Sequence, residues 1–346
     1  MRRRGRTSAI ILLLAAAALA STGTACKPDL GAAISLVEGP RILAVRGTPP
    51  EAREGDPVTY DLLAVDPTGT VAAAPATWAV CKLPRPPSES NSVSAACLGV
   101  ADDGGPSPTF IAPVTAADPA DQSTTGACSI FGPQRPPLDP TARPRDPDVT
   151  GGFYQPVRAT LPGPGPDGNP LRAFDLQRIQ CRLANAPIDI AKQFNNPYDA
   201  TMNPNGYSAN VNPLLADVTL ASAGGAPGPL ARVAPDMPPP APASVSAGQT
   251  VTLEASWSAD VAETFPVYDL RTVALVPQRE ALRVSWFASA GVFDHDVTGR
   301  DAEDVALSTV NGWQAPTTPG IVHLWLVLRD SRGGVDFGEF LLDVTP

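Results

Sequence analysis

The sequence predicts an all-β protein made of two β-sandwich domains in tandem, the first with long Pro-rich loop insertions. Three observations predict it. Forty-one prolines in 346 residues exclude long continuous helices, because proline breaks helix interiors and is tolerated in turns and at strand edges. Several short stretches alternate apolar and polar residues with period two, as half-buried strands do. The strand pattern that begins near residue 40 also returns near residue 213, so the scaffold reads as duplicated.

In chain order, MRRRGRTS is a basic leader, AIILLLAAAALA a short apolar run and STGTAC a small-residue exit. That is the layout of an export signal over residues 1–25, and the apolar run is too short to span a bilayer as an anchor. Two cleavage sites compete. Ala18-Leu19-Ala20 suits the ordinary small-x-small peptidase, whereas Gly23-Thr24-Ala25-Cys26 resembles a bacterial lipobox, with Gly23 where leucine is usual. The five cysteines favour the lipobox, since an odd number is awkward in an exported chain. Lipid (palmitate-type acyl chains) on Cys26 leaves Cys81, Cys97, Cys128 and Cys181 to close two disulfides in an oxidising compartment. Two or three acyl chains hold a protein firmly on a membrane. Lys27, not aspartate, follows the cysteine, so the expected location is the outer membrane or cell surface, with a secreted or periplasmic protein as the alternative. Residues 26–39 then read as a tether.

The full chain has 25 basic and 35 acidic residues, net −10, and losing the leader arginines Arg2, Arg3, Arg4 and Arg6 takes the net charge to −14. Such a chain lacks the concentrated basic face a nucleic acid needs. No other long apolar run follows the leader.

The first domain spans residues 40–210 and the second 211–346. In VTLEASWSAD, Val251, Leu253, Ala255 and Trp257 alternate with Thr252, Glu254, Ser256 and Ser258; in LRVSWFA, Leu282, Val284 and Trp286 share one face. IVHLWLVLRD (321–330) is apolar on both faces, as a central strand would be, and the glycines of DSRGG turn it into VDFGEFLLDV as a hairpin. Between the halves, residues 40–65 match 213–257, and ATWAVCKLP (76–84) matches VSWFASAG (284–291). GGFYQPVRATLP (151–162) matches NGWQAPTTPG (311–320), and FDLQRIQCRLA (174–184) takes the place of IVHLWLVLRDS. The Pro-rich segments 132–148, 161–170 and 234–243 are solvated and extended.

Trp286 on a central strand, Trp313 ahead of a Pro-Gly turn, and the Leu324–Leu328 strand leading to Asp330 and Gly333-Gly334 carry a resemblance to bacterial immunoglobulin-like and PKD-like domains. More narrowly, the chain is similar to surface lipoproteins of myxobacteria and their relatives. The resemblance covers most of residues 40–346, and it implies a fold and a location but no reaction. It also suggests a cysteine arrangement. Cys81 and Cys181 would bridge the core in the manner of the immunoglobulin inter-sheet bond, and Cys97 and Cys128 would pin the inserted loop. Four cysteines allow three pairings, and this nested one is favoured.

The string D-x-D-V-T-G occurs twice, at 146–151 and 294–299. Asp294, Asp296, Thr298 and Gly299 fit the first places of a calcium loop, with Asp301 and Asp304 nearby, but Val305 stands where the closing bidentate glutamate belongs. The first copy, Asp146 and Asp148, has no further carboxylate after it. The string is therefore read as loop sequence inside a duplicated scaffold, and Asp294, Asp296, Asp301 and Asp304 are the candidate calcium ligands. No catalytic motif is present: no G-x-S-x-G, H-E-x-x-H, C-x-x-C, Walker loop or dinucleotide fingerprint. His295 lies in the acidic loop and His323 in mid-strand, where packing accounts for it. The five tryptophans fall on strand-like positions and read as core. FNNPYDATMNPNGYSANVN (194–212) is a long exposed loop rich in adaptable contact groups. The expectation is a non-enzymatic, lipid-anchored envelope protein with a structural, adhesion or protein-binding role; the alternative is a module for glycan or cell wall, with calcium as a conceivable stabiliser. Its partners would be the membrane and other envelope proteins or extracellular glycan.

Overall fold

Alternation decides which side of each strand is covered. In the strand Thr250–Ser256, Val251, Leu253 and Ala255 are buried while Thr250 and Thr252 stay exposed. The computed structural model describes residues 34–85, 89, 92–116, 126–132, 149–165, 168–183, 185–195, 207–235 and 237–346. Regular structure there is almost entirely strand.

The first sandwich contains β1 (Arg41–Thr48), β2 (Glu51–Ala52), β3 (Pro57–Asp66), β4 (Gly69–Thr70), β5 (Thr77–Val80), β6 (Phe110–Pro113), β7 (Gly152–Pro164) and β8 (Pro170–Gln180). One sheet joins β1, β3 and β4, with β6 also on β3; the other runs β2-β8-β7-β5. The second sandwich contains β9 (Asp217–Ser222), β10 (Gly228–Leu230), β11 (Ala243–Ser246), β12 (Thr250–Ser256), the hairpin β13 (Thr264–Asp269) and β14 (Ala274–Arg279), β15 (Leu282–Ala288), β16 (Val292–Phe293), β17 (Val297–Arg300), β18 (Ser308–Gln314), β19 (Gly320–Asp330) and β20 (Val335–Thr345). Its sheets run β10-β9-β12-β18-β16 and β11-β20-β19-β15-β17. The spatial order is that of an immunoglobulin sandwich: β9-β12-β18-β16 takes the A-B-E-D places, facing β20-β19-β15-β17 in the G-F-C-C′ places, although the chain visits the D place (β16) before the C′ place (β17). In both sandwiches a short early strand crosses to the opposite sheet and pairs in parallel with the last one, β2 with β8 and β11 with β20.

The duplication holds, but its second half is offset by one strand from the sequence alignment. Segment 76–84 does correspond to 284–291, as β5 to β15. Segment 151–162, however, is β7, the equivalent of β19 and not of β18; segment 174–184 is β8, the equivalent of β20. The first-half counterpart of β18 is β6, four residues among Pro and Gly that carry no alternation to reveal them. The two C-position tryptophans correspond: Trp78 and Trp286 are both 0 % exposed, and their indole N–H groups donate to Ser107 O at 3.0 Å and Thr298 Oγ1 at 2.9 Å.

No disulfide crosses either core. Cys81 pairs with Cys97 and Cys128 with Cys181, at Cα separations of 5.5 and 5.8 Å, which corrects the nested pairing. The reason is sheet order. Cys81 and Cys181 flank β7 on opposite sides, their N–H groups bonding to Pro156 O and Gly151 O. Two strand spacings come to about 9.6 Å, beyond the roughly 7 Å Cα reach of a disulfide. The bridges staple irregular segments instead. Cys97 sits in the 3-10 turn Ala95–Gly99 and Cys128 in the short helix Ala127–Phe131. Arg158, 4 % exposed, fans its guanidinium onto Cys97 O, Leu98 O, Val100 O and Asp102 and fixes the first staple from below.

The part of the expected tether that is described is folded. Ser35 O accepts from Ala288 N at 2.9 Å, Val37 N donates to Ala288 O at 2.8 Å, and Val37 is 0 % exposed. The chain from Ile34 to Pro346 forms one compact unit.

Candidate functional site: the seam between the sandwiches

β19 is apolar on both faces because both are covered. Leu324, Leu326 and Leu328 enter the core of the second sandwich, whereas Trp325 and Val327 turn outward. There they meet Leu43 and Ala44 of β1 and Leu63 and Val65 of β3, with Val37, Phe287 and Val335 closing the patch. An immunoglobulin sheet that would otherwise face water thus becomes an internal interface. The indole of Trp325 donates to Thr70 Oγ1 at 3.0 Å. His323 stacks on Trp325 with centroids 5.8 Å apart, and its Nδ1 lies 2.5 Å from Glu339 Oε1. Gly69, at φ +137, passes close above: a Cβ there would be 3.1 Å from His323 Cε1.

Polar groups frame this patch. Arg46 of β1 pairs with Asp61 at 2.6 Å and crosses to Asp336 of β20 at 3.3 Å, with its guanidinium 4.4 Å over the Phe337 ring. Arg329 donates to Leu43 O at 2.9 Å. Asn212 is a two-sided clip, donating to Gly47 O at 2.9 Å and accepting from Val335 N at 2.9 Å.

At one end lies a dense ionic socket. Arg332, in the turn after β19, donates to Glu280 at 2.5 Å, Glu263 at 2.7 Å and Ser208 O at 3.0 Å, with the Phe265 ring 4.6 Å away. Glu263 and Glu280 flank the β13–β14 hairpin, so the hairpin's base is shaped around this arginine. Glu51 of β2 lies 3.6 Å from Arg332 and 3.3 Å from Arg178 of β8, and it accepts from Asn210 N and the Tyr207 hydroxyl. The side chains of Glu51 and Glu280 are 0 % exposed. Burial pushes the Glu280 carboxyl up to about 7, with Asp330 adding to the rise and Arg332 opposing it. On the other side of the seam, burial likewise pushes Asp175 up to about 7 against the pull of the Leu176 N–H and Arg329. Asp175 lines a cavity of about 250 Å³ between β1, β8 and the turn Arg329–Val335.

The sequence-predicted residues are elsewhere. Cys26 and the leader, and Asp146 and Asp148, lie outside the described residues. Asp294 and Asp296 precede β17, and Asp301 and Asp304 follow it, so a strand of about 13 Å separates the two pairs. Asp304 is engaged by Arg300 at 3.0 Å and by Ala306 N, Asp296 accepts from Ser35 N, and Asp294 fits against Gly312, where any Cβ would collide with its carboxylate. The structure does not bring the four together, and among the described residues no group of three or more His, Cys, Asp or Glu is placed to hold a metal. His295 uses its backbone to clasp Asn311. In the described part of the Asn-rich stretch, Asn195, Ser208, Ala209 and Val211 are exposed as expected of a loop, whereas Tyr207 lies 4.8 Å from the Phe194 ring and Asn210 is 2 % exposed. Glu51, Arg178, Glu280 and Arg332 were not singled out by the sequence, and isolated charges at strand ends carry no pattern that would have done so.

No family model matches the chain, and no curated protein matches it. Among solved structures, the D00–D0 domain of intimin aligns over 89 % of this chain and 99 % of its own, at 8 % identity and a TM-score of 0.21. The D0–D1 domain of intimin aligns over 88 % and 94 %, at 10 % identity and 0.19. Dimeric latent PorU from Porphyromonas gingivalis aligns over 90 % of this chain and 24 % of its own, at 10 % identity and 0.19. Alignments this loose carry no argument, and the immunoglobulin-like assignment rests on the strand order itself.

Proposed function

We propose that this chain is a lipid-anchored cell-envelope protein whose paired immunoglobulin-like sandwiches serve as a structural, adhesion or protein-binding component at the outer membrane or cell surface. The carrying observation is the cysteine count. Four of the five cysteines close two disulfides, which uses every cysteine except Cys26 at the end of the export leader. The non-enzymatic reading is supported by the fate of the buried charges: Glu51, Glu280, Arg178 and Arg332 engage one another and the backbone across the seam. A protein partner is favoured over glycan because all five tryptophans, the best stacking platforms for sugar, are at most 3 % exposed.

Replacing Cys26 by Ser tests the anchor. The variant should move from the membrane to the soluble fraction, and retention on membranes would overturn the lipid reading. Cross-linking on intact cells followed by mass spectrometry tests the role. Reproducible envelope partners support an assembly component; self-links alone, together with retention on insoluble polysaccharide, would transfer the role to glycan binding.

A further inference from the structure

The cavity at the seam is lined by groups that the protein leaves incomplete. About 250 Å³ of space lies between residues 42–45 of β1, residues 173–176 of β8 and the segment from Arg329 to Val335. Asp175, Arg329 and Asp330 are its charged lining residues. Asp330 is spent: its carboxylate takes the N–H groups of Arg332 and Gly334 and the side chain of Asn210. Asp175 is not. It is 7 % exposed, yet among the described residues its carboxylate accepts the Leu176 N–H and no side chain. Its acidic neighbour Asp61 is already paired with Arg46. Arg329 spends one N–H on Ser285 Oγ at 3.4 Å and one on Leu43 O at 2.9 Å. That leaves its Nε–H and a second N–H on each terminal nitrogen without a protein acceptor among the described residues. Asp175 and Arg329 feel one another's charge but are not joined in an ion pair. A buried carboxylate with so few donors is costly, so water or a ligand in the cavity must complete it.

We propose that this cavity binds a small zwitterion, an α-amino acid with an aliphatic side chain, its ammonium group on Asp175, its carboxylate on Arg329 and its side chain against Ile42, Leu176 and Val335. The two opposite charges on the wall decide the class. A bare amine would face the Arg329 guanidinium, and a bare carboxylate would face Asp175. A ligand carrying both signs meets each with its complement. Size agrees, since the space takes roughly eight water-sized groups, the bulk of valine or leucine. An amino acid with a charged side chain would bury a third charge, and Asp330 is not free to match it. Asp175 lies on β8 of the first sandwich and Arg329 on β19 of the second. The ligand therefore spans the seam, and its binding adds to the stability of the docked pair.

The test titrates the whole mature protein with leucine in mildly alkaline buffer, where Asp175 is ionised, by calorimetry and by melting temperature. Two analogues remove one charge each: isoamylamine lacks the carboxylate and isocaproate lacks the ammonium. Leucine should raise the melting temperature progressively with its concentration. Each analogue should bind about ten- to a hundredfold more weakly, the loss expected of one charged hydrogen-bond contact. Asp175→Asn should weaken leucine by a similar factor and leave isocaproate no weaker than before, because that ligand has no ammonium to lose. No shift with leucine, three ligands acting alike, or an Asp175→Asn protein that binds leucine as tightly as the wild type would each overturn the site. Should the variant not fold, the three ligands on the wild type decide by themselves.

Discussion

Arg332 Nε lies 2.5 Å from Glu280 Oε1, and the same guanidinium reaches Glu263 at 2.7 Å. A turn that sequence alone reads as a simple hairpin loop therefore plugs a socket lined by acids from distant parts of the chain. Replacing Arg332 by Met leaves Glu280 buried without its cation, while Glu51 keeps Arg178 at 3.3 Å, a loss of about 3–5 kcal/mol. Urea unfolding at neutral pH should show this. Lysine should restore little, because a point charge on a flexible stem cannot serve both glutamates as the planar fork does.

Trp325 should matter as much from the apolar side. It is 0 % exposed in the patch between the sandwiches, with its N–H on Thr70. Trp325→Ala should cost about 3–5 kcal/mol through the cavity it opens. Trp325→Phe keeps most of the packing and loses one hydrogen bond, about 1 kcal/mol. Thermal unfolding of the two variants side by side would expose any departure from that order.

The disulfides make a mapping prediction. Proteolysis of the unreduced protein should release Cys81 linked to Cys97 and Cys128 linked to Cys181; a Cys81–Cys181 peptide would contradict the fold. Loop closure over sequence separations of 16 and 53 residues corresponds to about 3 and about 4 kcal/mol. Removing the second pair should therefore cost the more in denaturant.

Calcium should have no effect on stability. Arg300 already occupies Asp304, and Asp294 and Asp296 are held by Gly312 and Ser35 on the other side of β17. The melting temperature should be the same in excess calcium and in chelator. A rise of several degrees in calcium would show that the aspartates gather in solution.

Local pattern made much of the fold legible. The alternation in Val251, Leu253 and Ala255, the Trp286 strand and the Gly333-Gly334 turn each identify an element that the structure contains. β6 was not legible because four residues are too few to show a period, and missing it shifted the alignment of the two halves by one strand. The hairpin β13–β14 went unrecognised as an insertion. Trp325 and Val327 signal a second covered face, but they do not say what covers it: that depends on β1 and β3, more than 250 residues earlier. The socket was hidden for the same reason. Glu51, Arg178 and Arg332 are each unremarkable in their local context, and only the contact between sandwiches makes them a unit.

The stitch of Ser35 and Val37 onto Ala288 has a consequence for the order of events in biogenesis. These residues find their partner only after about 250 further residues have been made. Until then Leu43, Leu63 and Val65 have nothing to cover them, and an uncovered apolar strip on a half-made β protein invites aggregation. The chain therefore depends on being held apart from its neighbours until its last strand, Val335–Thr345, has arrived. A molecule truncated before that strand would be left sticky, where one interrupted within a self-sufficient repeat would merely be shorter.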